Sequence, residues 1–290
     1  MAYMQITLLD GGTGQEIYRR SKLTEAPLWS VEAMLNEPEI VTQVHQDFIA
    51  AGSEICTLNT YTATPTRLRD TKHKDDLKLI HDLATQSLEA AIKSCGQRVK
   101  IAGCLPPIHG SYLDTPPRTF DSLLAEYSQL IQLSPSVDLW QIETMTNPVE
   151  ANAAVNAAQG TGKPVLLAYR LEKNGRLKSG QTLAEARDYF DHTKLHGILI
   201  NCSEPEIITQ HIAELAQFNI PFGAYGNGFV SVEPLAHGQS VSKLEAREDL
   251  SPVKYADHVE DWISQGATIV GGCCEISPSH IQEIKRRLQS

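Results

Sequence analysis

Eight short apolar runs, each bounded by turn-forming residues and separated from the next by a longer amphipathic stretch, constrain this chain more than any other feature. They cover 6–12, 53–60, 99–106, 137–145, 164–171, 197–203, 220–226 and 267–274. Runs this short and this apolar read as strands buried on both faces. Between them, a stretch such as 38–50 sets Ile40, Val41, Val44, Phe48 and Ile49 on one side at the helical period. Regular alternation implies parallel strands with right-handed crossovers, and eight of them predict a closed α/β architecture, a (β/α)8 TIM barrel, rather than an open sheet. A length of 290 residues suits one such barrel, and no linker, repeat or low-complexity tract divides the chain. A single domain over 1–290 is therefore expected. Asp10-Gly-Gly-Thr-Gly14 follows the first run without the glycine spacing of a dinucleotide site, which weakens a nicotinamide reading.

The last run, Ala267-Thr-Ile-Val-Gly-Gly-Cys-Cys-Glu275, ends in two glycines and two adjacent cysteines. Neighbouring cysteines bond to each other poorly, because a disulfide needs its α-carbons about 5.5 Å apart and a trans peptide sets them about 3.8 Å apart. Cys273 and Cys274 are either small buried hydrophobes or a pair of ligands for a soft metal. A third thiol at the same end of another strand favours the metal. His196-Gly-Ile-Leu-Ile-Asn-Cys-Ser203 supplies Cys202, and a parallel barrel opens both strand ends onto one face. Three protein ligands with one open position is the arrangement of catalytic zinc.

Charge and composition narrow the partners. A net charge of −10 argues against nucleic acid, which needs a basic face. No apolar run is long enough for a bilayer, and the first residues lead into a strand without a basic and apolar leader, so a soluble, cytoplasmic protein with reduced thiols is expected. The oligomeric state is left open, a homo-oligomer included. Two long connections, 105–119 and 227–251, both follow strand C-termini and are placed to cover the barrel mouth.

The same geometry gathers Asp10, Asn59, Thr60, Tyr61, Glu143, Asn201 and Asn227 with the cysteines. Asp10 reads either as a turn former before Gly11 and Gly12 or as an acid for a substrate cation, and Glu143 either as a barrel salt-bridge partner or as a second such acid. Two acids beside a metal suit an amino acid's ammonium group.

In order along the chain, Asp10-Gly-Gly, Thr57-Leu-Asn-Thr-Tyr61, Glu143-Thr-Met, Asn201-Cys-Ser and Gly271-Gly-Cys-Cys274 resemble the homocysteine S-methyltransferase family, over about 8–284. Ala26-Pro-Leu-Trp-Ser30, Asn36-Glu-Pro and Val44-His are similar to its single-domain members that use S-methylmethionine or S-adenosylmethionine, and to the betaine-using ones. The resemblance implies a Zn²⁺ ion on Cys202, Cys273 and Cys274 and methyl transfer to the thiol of L-homocysteine, forming methionine. It implies that Asp10, Gly11, Gly12 and Glu143 bind the amino acid, that Trp29 and Tyr61 face a cationic donor, and that Asn227 is a weak metal contact. Trp29 would otherwise be core packing after Pro27. The loop Tyr225-Gly-Asn-Gly228 lacks the family's usual proline and serine around the asparagine, and Cys104 stands in an altered third strand. Cys56 and Cys95 read as structural. Three alternatives remain at this point: a non-catalytic zinc-binding barrel, a methyltransferase for a related thiol or selenol, and a thiol redox enzyme.

Overall fold

A computed structural model of the chain describes residues 5–23, 28, 30–111, 118–232 and 244–289. Eight strands form one parallel sheet: β1 (Thr7–Leu8), β2 (Ile55–Thr57), β3 (Lys100–Leu105), β4 (Leu139–Met145), β5 (Val165–Tyr169), β6 (Gly197–Asn201), β7 (Phe222–Gly226) and β8 (Ile269–Gly272). Their order is β1-β8-β7-β6-β5-β4-β3-β2, and a parallel bridge between Leu9 and Ile55 closes the ring. All eight expected strands are present, each shorter than its apolar run.

Helices run between the strands where the sequence gives start signals. Pro148 follows Asn147, whose side chain accepts the Val149 N–H at 2.8 Å. Pro252 follows Ser251, and Pro278 follows Ser277. Proline at the first helical position loses no hydrogen bond, and the residue before it caps the exposed N–H groups. The helix Pro38–Ala51 ends at Gly52, whose φ of 110° suits only glycine. Its Val41, Val44, Phe48 and Ile49 are buried, as the spacing predicts.

Side chains alternate across each strand, so two cores result. The larger lies between strands and helices; the smaller fills the barrel with Leu9, Ile55, Ala102, Leu139, Leu166, Ala168, Leu199, Tyr225 and Ile269. Continuing the alternation toward the C-terminal ends puts Thr57, Cys104, Glu143, Asn201 and Cys273 on the inner face. The apolar plug thus ends in a polar layer at the mouth. Among the described residues no helix is long and apolar enough to cross a membrane.

Candidate metal centre

Glycines let the strands and turns around the cysteines approach closely. A Cβ on Gly271 would lie 2.6 Å from Leu9 Cβ, and one on Gly12 would lie 2.6 Å from the Cys273 carbonyl oxygen. The turn after β8 is pinned from β7, with Cys273 N–H donating to Gly226 O at 2.9 Å and Gly228 N–H to Cys274 O at 2.8 Å. Cys202 is held at the end of β6 by its N–H to Tyr225 O at 3.0 Å and by Asn227 Nδ2, which donates to its carbonyl at 2.7 Å.

These restraints bring the three expected sulfurs together. Cys273 Sγ lies 2.8 Å from Cys202 Sγ and 4.0 Å from Cys274 Sγ, and all three sulfurs fall within 4.8 Å of one another. Among the described residues no other group of three His, Cys, Asp or Glu side chains meets in this way. The donor set fits a soft cation, since thiolates are the ligands such ions prefer; tetrahedral zinc with bonds of about 2.3 Å sets its sulfurs about 3.8 Å apart, near the Cys273–Cys274 separation of 4.0 Å but wider than the 2.8 Å between Cys273 and Cys202. Hydrogen bonding to Cys202, with burial, holds Cys273 and Cys274 well above the usual thiol range. Three such groups lose their protons together only when a cation offsets their charge.

The two acids flank this cluster. Asp10 is 5% exposed; its Oδ2 accepts the Thr57 N–H at 2.9 Å and the Thr13 hydroxyl at 3.3 Å. Burial raises its pKa to about 7 against those hydrogen bonds. Burial likewise raises Glu143 to about 7, and its Oε1 accepts the Cys104 thiol at 2.9 Å. Cys104 therefore faces the mouth. Neither carboxylate has a cationic side chain in direct contact among the described residues, and a ligand ammonium would supply that charge.

The other expected residues have additional duties. Gly12 N–H donates to Ile276 O at 2.8 Å, and a Cβ on Gly11 would lie 2.2 Å from the same oxygen, so these glycines join the first turn to the last. Tyr61 donates to or accepts from Ser111 Oγ at 2.5 Å, and the Arg67 guanidinium lies 5.1 Å from its ring centroid. One face of that ring already holds a cation. Both ends of the Asn227 amide serve the backbone, Nδ2 to Cys202 O and Oδ1 from Phe229 N–H at 3.0 Å. Trp29 lies outside the described residues. Of the other thiols, Cys56 is buried and Cys95 half-buried, with its Sγ 3.9 Å from Gln46 O.

Sequence reasoning missed a cavity beside the cluster. It has a volume of about 730 Å³ and includes Cys202 and Asn227 in its wall. The connection after β5 gives it Arg170, Lys173, Arg176 and Lys178. The density of positive charge in Arg170-Leu-Glu-Lys-Asn-Gly-Arg-Leu-Lys178 was the available signal.

Comparison with known proteins identifies the family and the fold. Homocysteine S-methyltransferase 2 and homocysteine S-methyltransferase 3 of Zea mays are each 24% identical to this chain over 97% of it and 89% of their own length. The metallated form of the homocysteine methyltransferase MmuM from Escherichia coli superposes with a TM-score of 0.80 at 22% identity, covering 98% of this chain and 97% of that one, which shows the shared barrel. The apo form of the same enzyme superposes at 0.73. The family model described as homocysteine S-methyltransferase matches residues 7–288, and on that match the chain belongs to the homocysteine S-methyltransferase family.

Proposed function

We propose that this methyltransferase holds one zinc ion on Cys202, Cys273 and Cys274 and moves a methyl group from a cationic donor to the sulfur of L-homocysteine, forming methionine. The observation that carries the reading is the meeting of three thiols from two distant strand ends at the mouth of the barrel. Zinc bound there lowers the pKa of an incoming thiol, so that its sulfur is a nucleophile at neutral pH.

The chain's own residues bind and orient. Asp10 and Glu143 accept the ammonium group of the amino acid, each gaining the positive partner that burial otherwise denies it. The paired turns at Gly11 and Gly12 fix Asp10 relative to Cys273. The cavity next to Cys202 is the route for the donor: its apolar wall, including Leu171, Leu177, Ile207 and Phe229, faces the methylated cation, while the connection after β5, whose Arg170, Lys173, Arg176 and Lys178 outnumber the lining acids Glu172 and Glu204, faces a carboxylate. S-methylmethionine, S-adenosylmethionine and betaine all fit that description. In the transfer a carbon–sulfur bond forms to homocysteine, the bond from methyl to the donor's sulfur or nitrogen breaks, and the electron pair stays with the donor. Opposite charges cancel as this happens, so a site that excludes water and aligns the reactants favours the step.

The test is to load the protein with zinc, supply homocysteine with each donor in turn, and measure methionine. About one zinc per chain and turnover with at least one donor are expected, and Cys202→Ser and Cys273→Ser each lose both. Full activity in either variant would refute the assignment. Zinc retained without methionine from any donor would leave a metal-binding barrel, and turnover with a selenol alone would change the acceptor.

A further inference from the structure

Three residues at the mouth have backbone in the left-handed region: Glu275, φ 64°, directly after Cys274; Thr144, φ 60°, directly after Glu143; and Cys202, φ 50°, directly after Asn201. For a β-branched residue this conformation is unfavourable and persists only where neighbours hold it. One side chain does the holding. Asn201 is fully buried; its Oδ1 accepts the Thr144 N–H at 2.9 Å and its Nδ2 donates to Thr144 Oγ1 at 2.9 Å. β5 lies between β4 and β6 in the sheet, so this amide reaches past a whole strand. It also secures a bulge. Ile142 pairs with Leu167 and Met145 with Tyr169, leaving one extra residue on β4 between the two pairs, where Glu143 and Thr144 sit.

We propose that Asn201 and Thr144 form a clamp that positions two functional groups together, the Glu143 carboxylate on one side and the Cys202 sulfur on the other. This rests on the function proposed above. Neither residue touches the substrate or the ion; both are positioning residues. Without the clamp, Thr144 relaxes toward extended backbone and the bulge loses its anchor. Because side chains alternate with a period of two, a one-residue slip there turns Glu143 away from the inner face. At its other end the clamp fixes the residue preceding Cys202, and so the direction from which that sulfur meets the other two. The amino-acid site and the metal site are thereby coupled through a single amide.

The experiment uses three variants of the full chain: Thr144→Gly, Thr144→Ser and Asn201→Leu. Glycine accepts the left-handed backbone freely, so Thr144→Gly removes the hydroxyl while relieving the strain, and its Tm stays close to wild type. Its zinc affinity, measured by competition with a chromogenic chelator, is expected to fall about tenfold, the scale on which groups that orient metal ligands act. The homocysteine KM rises by a similar factor while kcat changes less. Thr144→Ser, which keeps the hydroxyl, restores both to within about threefold of wild type on the same scale. Asn201→Leu shifts both further and lowers Tm; should it fail to fold, the Thr144 pair decides. Zinc affinity and KM both within about twofold of wild type in Thr144→Gly would overturn the clamp, being well inside that range. If the wild type makes no methionine, the proposed function falls, while zinc competition and homocysteine titration by calorimetry still test the clamp.

Discussion

Asp10 and Glu143 are carboxyl groups that burial brings to about 7, close to the pH at which they would have to work. Only the ionised forms attract an ammonium group. The kcat/KM for homocysteine should therefore fall as pH drops from 8 to 6, approaching a slope of two protons. The groups facing Glu143 are Cys104, Asp10, Cys202 and Tyr225, and those facing Asp10 are Thr13, Thr57, Cys56 and Glu143. A pH profile of Glu143→Gln should lose about one proton of slope and lie about tenfold lower at pH 8, as the loss of one charge-assisted hydrogen bond implies. An unchanged profile would remove Glu143 from the site. The sign for folding is the reverse. Both pKa values are raised, so between the ordinary 3.8 and 4.5 and about 7 the unfolded chain gives up these protons first, and this pair's contribution to stability declines as pH rises through that window. A bound ammonium opposes the decline. The acids and the three cysteines were legible in the sequence because each stands at the end of an apolar run, where alternation and the barrel leave few choices. In the sequence Thr144 is only the middle residue of Glu143-Thr-Met. Its role depends on a bulge, and nothing in the period of β4 announces an extra residue.

Among the elements, the turn after β1 and the turn after β8 behave as one piece. Gly12 has an ordinary φ of −72°, so alanine there meets no backbone penalty; the obstacle is the Cys273 carbonyl oxygen, 2.6 Å from the added carbon. Gly12→Ala should cost about 1–3 kcal/mol of stability, the usual penalty for overpacking, and should also weaken zinc binding, because the atom displaced belongs to a residue of the proposed metal site. Thermal melts and chelator competition measure the two effects, and a lowered Tm with undiminished metal affinity would show that the turns move independently. The eight strands were readable from apolar periodicity, and the helix starts from Ser or Asn before proline. The cavity wall after β5 was not, since loops carry no period and the path of Arg170 to Lys178 follows from packing rather than local preference.

The molecule as a whole is acidic, yet its mouth is divided. Asp10 and Glu143 occupy one part, while Arg170, Lys173, Arg176 and Lys178 line the cavity at another. Glu172 and Glu204 line the same cavity and pair with Arg170 and Lys173, so its basic excess is partial, and on the proposed function it would orient a zwitterionic substrate only in part. The ring around this field is uneven in strength. β1 has two residues, and its join to β2 consists of the Leu9–Ile55 bridge with the N–H of Asp10 bonded to Ile55 O at 3.0 Å and that of Glu54 to Leu8 O at 2.7 Å. Asp10 Oδ2 adds a rivet to the Thr57 N–H. The amides of Asp10 and Thr57 should exchange with deuterium faster than those of β4 to β6, and homocysteine should slow them selectively by drawing that carboxylate into a fixed pose. Uniform exchange around the ring, indifferent to the amino acid, would contradict this. On the proposed role of Asp10, a hoop fastened at its thinnest point by the group that also greets the ligand would be tightened by its own cargo, and occupancy and closure of the cylinder would become a single event.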